Sequence, residues 1–496
     1  MKNRIFALLI SLILLGASAA SAQTLVIAQG QDLTLLNPIK TTAQVELNAG
    51  RQVVESLLMM DHDNMTILGQ LATDWRRINE YTVEFDLREG VFFTNGEPFD
   101  AAAAKFSLEL QATEPAMSGM MDSIETVEIV DDYTIRVHTV SPDPLLEISF
   151  AGSSYILPPA YYQEVGEDAF NAHPIGTGPF TFVKRVSGQY VEFERNEDYW
   201  GEYPQIERIH FRGIQEDGAR LAALQAGEVH IATNIPLSMY NRVDNAAGVD
   251  AVTVQGARMY LLILDSRFDT TPVANKLVRQ AMNYAVDKQL LLDVLFEGQG
   301  SVVQGQQATP DFFGFNPDVH AYPYDPEKAR ELLAEAGYPD GFTEVFSYPF
   351  GRLAGDKEVA EAIAAMFEDV GIHIEHNVLE SGEWLNQLVT QQLSPISLAG
   401  YATPPDAHYQ YNINTAGQRY TYYANEAYDE LVFAAATETD VEKREQLYFQ
   451  AAEIAYDDPP FVYLVAPADL YGVSHRVHNL VVRPDQWLYL HNVSFE

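Results

Sequence analysis

The chain contains no cysteine. Disulfides, thiolate-bound zinc, cysteine-ligated iron–sulfur clusters and a cysteine nucleophile are therefore excluded, as is the lipidated cysteine of a bacterial lipoprotein. Basic residues are scarce: 30 Lys and Arg stand against 70 Asp and Glu in 496 residues, a formal net charge of −40. That deficit argues against nucleic acid, because phosphate binding needs a basic footprint. It argues equally against anionic lipid. Catalytic motifs are missing too, with no G-x-S-x-G elbow, H-E-x-x-H or Walker A loop. Neighbouring carboxylates carry no weight in a chain this acidic. Apolar residues are not short, at 47%, so the chain can bury a sizeable core despite its charge.

The first 22 residues stand apart. Lys2 and Arg4 precede an apolar run from Ile5 to Gly16, and Ala20 and Ala22 form an A-x-A pattern before Gln23. This reads as a secretory signal peptide cleaved after Ala22. The run is too short to span ~30 Å of hydrocarbon, and no later segment approaches ~18 uninterrupted apolar residues. The expected product is exported, free in a periplasm and without a lipid anchor. It has about 474 residues (496 − 22) and a net charge near −42 (28 basic against 70 acidic).

Strand and helix patterns alternate along the rest, which makes this an α/β protein. Thr24–Ala28 is a short β-branched buried strand, and Tyr81–Leu87 alternates at period two. Strands are also expected at 128–130 and 133–139, and a hairpin at 180–183 and 190–194. Helices are expected over 217–226, 272–286, 326–336, 359–367 and 441–455. The 326–336 helix has Asp325 as N-cap, Pro326 at its first position and Gly337 at its close. His373 and His376 lie on an apparent strand and point to opposite faces, so neither they nor the pair His475 and His478 predict a metal site. Gly176-Thr-Gly178, followed by Pro179, reads as a structural turn. Neither metal nor cofactor is expected.

Several segments resemble the family-five extracellular solute-binding proteins, the peptide-, nickel-, glutathione- and opine-type receptors of ABC importers. They are 71–75, 85–99, Pro174-Ile-Gly-Thr-Gly-Pro-Phe180, Arg195-Asn-Glu-Asp-Tyr-Trp-Gly201, 223–229, Val278–Lys288, Tyr324–Phe342 and 423–431. They occur in the family's order over essentially the whole mature chain. The resemblance implies a two-lobed periplasmic-binding-protein fold of type II kind. Lobe I would span 23–256, with an inserted subdomain at about 60–171. Lobe II would span 257–473, and residues 474–496 would return to lobe I. Crossings are expected near 254–257 and 471–474, where glycine permits hinge dihedrals.

The resemblance also implies the function: a peptide or similar small polar solute captured between the lobes and delivered to an inner-membrane permease by a monomeric, non-enzymatic receptor. Other readings are a secreted peptidase or hydrolase on the same scaffold, and a chaperone or signalling adaptor that does not transport. For the site, the family uses the loop after the first strand, which holds Gln31 and Asp32; Asp32 also suits a turn cap. Met120, within Met117-Ser-Gly-Met-Met121, is either a flexible apolar wall or core filling. Ser153 and Tyr155 fall where nickel-type members place a cleft arginine. Arg352 lies near the position that holds the ligand carboxylate in dipeptide-type members, with a plain surface arginine as the alternative. Trp384 is a cleft or a core residue. The family places an aromatic at Tyr401 over the ligand. Asp406, two residues beyond the usual acidic position, is either an amine partner or a turn cap.

Overall fold

The computed structural model describes residues 24–61, 66–350, 352–402 and 404–495. The signal-peptide reading lies outside the described residues. Two large sheets organise the chain. The first has seven strands, in the order Val249–Val254, Asp469–Ser474, Ile231–Ile235, Thr24–Gln29, Arg208–Gly213, Tyr190–Arg195 and Phe180–Val186. Thr24–Gln29 is central and runs parallel to both neighbours. Leu25 and Ile27 on one face and Ala28 on the other are fully buried, as a strand covered on both faces requires. The second sheet has five strands, in the order Ile372–Glu380, Phe342–Phe350, Ile396–Tyr401, Met259–Leu264 and Phe461–Tyr463. All six side chains of Met259–Leu264 are buried.

A smaller antiparallel sheet of four strands (Ala72–Asn79, Thr82–Leu87, Thr134–Thr139, Ile124–Asp131) lies between the first two strands of the large sheet in sequence. The helices Ala101–Gln111 and Leu146–Ser153 accompany it. Asp100 caps the former, its carboxylate accepting from the Ala103 amide at 3.0 Å. Phe85 and Phe150 stack in its interior, with ring centroids 5.2 Å apart. That interior is continuous with the core under the seven-stranded sheet and with Leu488, Leu490 and Val493 near the C-terminus.

The chain passes between the large sheets twice, after Val254 and before Asp469. The second passage falls earlier than the expected boundary at 473–474. Asp469–Ser474 pairs along its whole length with Val249–Val254, so register draws it into the first sheet. The glycines there serve closeness rather than special dihedrals. Gly256 stays outside the left-handed region, but a Cβ at this position would sit 2.3 Å from the Pro467 carbonyl oxygen. The Gln255 amide side chain also donates to the Ala466 carbonyl at 2.9 Å. The two crossing segments thus lie side by side.

One expected helix divides. Pro272–Ala274 is a 3-10 turn, Asn275 is extended (φ −77°, ψ 125°), and the α-helix runs Lys276–Ala285. The Asn275 side chain accepts from the Leu277 amide at 2.9 Å, a local bond that competes with continuing the helix. The 326–336 pattern forms Pro326–Glu335, capped by Asp325, with Gly337 at φ +95°.

The recurrent motifs converge on one buried carboxylate. Glu55 is 2% exposed and accepts from Tyr199 Oη (2.7 Å), Thr177 Oγ1 (2.8 Å), Trp200 Nε1 (2.9 Å) and Gln70 Nε2 (3.1 Å). Burial nevertheless pushes its pKa up to about 7, against the pull of these donors. Gly176 and Gly178 fit here because Cβ atoms would fall 2.0 and 2.7 Å from the Val53 and Gln52 carbonyls. The motifs at 174–180 and 195–201 therefore build the scaffold, and the G-x-G is a turn.

Candidate functional site

A cavity of about 460 Å³ opens between the two halves of the molecule. One wall comes from Leu47 and Arg51 at the Gln44–Gly50 helix, from Met117 and Met120, and from Ser149 and Ser153 on the Leu146–Ser153 helix. The facing wall comes from Ala257 and Arg258 at the first crossing and from Ala402, Pro404, Pro405 and Tyr409 after the Ile396–Tyr401 strand. Pro484–Gln486 closes one end. A neighbouring cavity of about 510 Å³ shares Met60, Ile148 and Pro405 with it. The two walls touch where Ser149 Oγ and Tyr409 Oη hydrogen-bond at 3.2 Å. Burial raises the Tyr409 pKa to about 12, so this phenol stays protonated and able to donate.

Arg51 is held rigidly. Its Nε donates to Tyr155 Oη and its Nη2 to the Gly152 carbonyl, both at 2.9 Å. The guanidinium lies 4.2 Å from the centre of the Trp487 ring. Tyr155 Oη itself donates to Gly152 O at 2.9 Å. Burial also keeps the Tyr155 hydroxyl protonated by raising its pKa. Arg258 is exposed and donates to Gly400 O at 3.3 Å. Asp485, the one acidic residue among the described residues of the lining, is already engaged: Arg483 holds it at 3.1 and 2.6 Å, and it accepts from the Trp487 amide.

Met120, Ser153 and Tyr155 of the expected site meet in this cavity, where Ser153 Oγ donates to Met120 Sδ at 3.2 Å. Met117 lines it as well, whereas Met121 turns into the core with no exposure. Gln31 and Asp32 are exposed and lie outside the lining; Asp32 Oδ1 accepts from the Leu33 amide at 3.0 Å. Arg352, Trp384 and Tyr401 form a separate group in the second half. Arg352 lies over the Trp384 ring at 5.1 Å, and Trp384, 2% exposed, donates to Ser397 Oγ at 3.1 Å. Tyr401 packs edge-on to Phe461, its hydroxyl buried. Asp406 is 3% exposed, caps the Ala407–Asn412 helix through the His408 amide, and is gripped by Arg444 at 2.9 and 2.6 Å. It lines the neighbouring cavity but faces a cation of its own.

Arg51, Arg258 and Tyr409 are the residues that sequence reasoning missed. Local pattern offers no signal for them, because Arg51 acquires meaning only beside Trp487 and Tyr409 only beside Ser149. Among the described residues no cluster of His, Asp and Glu could hold a metal ion.

The arrangement is that of a two-lobed protein with a cavity in the cleft between the lobes. Residues 66–422 match the family described as bacterial extracellular solute-binding proteins, family 5. The chain belongs to that family, and it is a substrate-binding protein of an ABC importer. The glutathione-binding protein GsiB of Pectobacterium atrosepticum is 27% identical, over 94% of this chain and 93% of that protein. Among solved structures, HbpA2 from Haemophilus parasuis superposes with a TM-score of 0.85 at 23% identity, covering 95% of this chain and 100% of that one. The periplasmic binding protein DppA from Helicobacter pylori, in complex with the peptide STSA, gives 0.75 at 25% identity, with 95% and 98% covered. This is a family of binding proteins whose members work in the periplasm, and no helix among the described residues is long and apolar enough to cross a membrane.

Proposed function

We propose that the chain captures a peptide or similar small polar solute in the 460 Å³ cavity and hands it, as a monomer, to an inner-membrane permease. The observation that carries this reading is the lining itself: both lobes contribute, and Ser149 and Tyr409 bridge them. A solute touching both walls binds the closed form better than the open one and shifts the population towards closure by that difference. The relatives that bind glutathione and a peptide support a solute of this size and polarity. The lobes are taken as 24–254 with 469–495, and 259–467, following the two large sheets. Export with cleavage after Ala22 completes the reading.

Thermal unfolding of the purified protein with peptides, glutathione and polar metabolites tests it. A solute at ~100 times its Kd should stabilise by about 2.7 kcal/mol. A panel with no stabilising member counts against capture in this cavity.

A further inference from the structure

The charge of the cavity runs against the charge of the chain. Acidic residues outnumber basic ones 70 to 30 overall. Yet among the described residues the charged ones of the lining are Arg51, Arg258 and Asp485, and Asp485 is already neutralised by the fully buried Arg483. Among the described residues neither Arg51 nor Arg258 is paired with a carboxylate; their hydrogen bonds go to a phenol and to backbone carbonyls. Arg51 is moreover fixed in place between Tyr155, the Gly152 carbonyl and the Trp487 ring, and its Nη1 has no hydrogen-bond partner among the described residues. A pre-oriented, uncompensated guanidinium in a semi-enclosed site is the natural partner of a planar anion, which it binds through short charge-assisted bonds.

Among the described residues no free carboxylate lines this cavity; the half-buried Asp469, which feels the charge of Arg258, lies outside the lining. The nearby carboxylates Asp406 and Glu147 are each engaged by an arginine, Arg444 and Arg77, in the adjoining cavity. Asp311, which has no ion-pair partner among the described residues, borders the adjoining cavity and a small pocket beside Ala257 and Pro405, but not this cavity. On the same wall as Arg51, Met117 and Met120, together with Met60 and Ile148, offer an apolar, adaptable surface.

From this we infer that the solute is a carboxylate of net negative charge with an apolar body. Its carboxylate lies on Arg51, Arg258 closes over it from the other lobe, and the methionine wall takes the rest. The inference rests on the capture reading above and narrows it to an anionic class. It also gives Arg258 a part in closure, since a shared anion ties it to Arg51 across the cleft.

The test uses matched pairs in which only the charge differs: N-acetylmethionine and its amide, glutarate and glutaramide, dialanine and its amide, and glutathione, all titrated calorimetrically into the full exported protein. The expected result is that free acids bind at least tenfold more tightly than their amides. Arg51→Gln should abolish the acid-over-amide preference, and Arg51→Lys should retain part of it. Because Arg51 also packs on Trp487, its variants risk misfolding. Arg258→Gln, at an exposed side chain, is the independent check and should weaken acids but not amides. Amides or cations binding as tightly as acids, or a preference unchanged in both glutamine variants, would overturn the anionic assignment while leaving capture intact. If no compound binds, capture itself fails and the assignment falls with it.

Discussion

Glu55 carries much of the residue-scale consequence. Its folded pKa of about 7 lies above the ordinary 4.5 because burial outweighs four donors. A carboxyl whose pKa is raised by folding holds more protons folded than unfolded between those two values. Its contribution to stability is therefore full below pH 4.5 and is lost as pH rises through 7, by on the order of 3 kcal/mol. Glu55→Gln should flatten this part of the stability curve. Urea unfolding of both proteins from pH 4.5 to 7.5 checks it, and parallel curves would refute the assignment. Asp406 is a second case. It and Arg444 are nearly fully buried and mutually bidentate. Asp406→Ala leaves a buried guanidinium unpaired and should cost about 3–5 kcal/mol, read as a fall in the urea midpoint.

At the scale of elements, the two crossing segments are the point of interest. A methyl group at Gly256 would press on the Pro467 carbonyl, and a backbone atom has little freedom to withdraw. Gly256→Ala should destabilise by about 1–3 kcal/mol, as overpacking does. It should also separate the segments that join the lobes. Thermal unfolding reports the first effect and small-angle scattering the second. An unchanged radius of gyration together with an unchanged melting temperature would show that the crossings tolerate the group. The Asn275 break teaches a related lesson. The apolar stripe over 272–286 suggests one helix, but a side chain able to cap the following turn starts a new one there.

For the whole molecule, closure and charge matter most. Ser149 and Tyr409 form a hydrogen bond from lobe to lobe, worth about 0.5–1.5 kcal/mol net. Tyr409→Phe should lower the closed population and weaken solute binding roughly 2- to 12-fold, with the fold intact. Calorimetry would detect that loss, and an unchanged affinity would show that the contact is incidental to closure. The acidity is dispersed over the surface, which fits adaptation to a saline habitat. Self-repulsion of this kind is screened within ~10 Å at 0.1 M salt, so stability should rise between low and seawater-like ionic strength. A flat salt dependence would argue against that reading.

The class of the fold and the family can be read from local pattern, because β-branched runs, caps such as Asp325 and ordered motifs are local and survive divergence. Met120, Ser153 and Tyr155, expected from short segments whose position in the family pattern is recognisable, do line the interlobe cavity. The remaining contacts depend on folding over long range. The fold brought Trp487 under Arg51, Tyr409 to Ser149 and Arg444 to Asp406, pairs separated by tens to hundreds of residues. It moved the second crossing ahead of Asp469 because strand register, a long-range property, chose the partner. Net composition predicts an acidic surface, but the charge of a cleft depends on which few side chains the fold turns inward and which of them it has already paired.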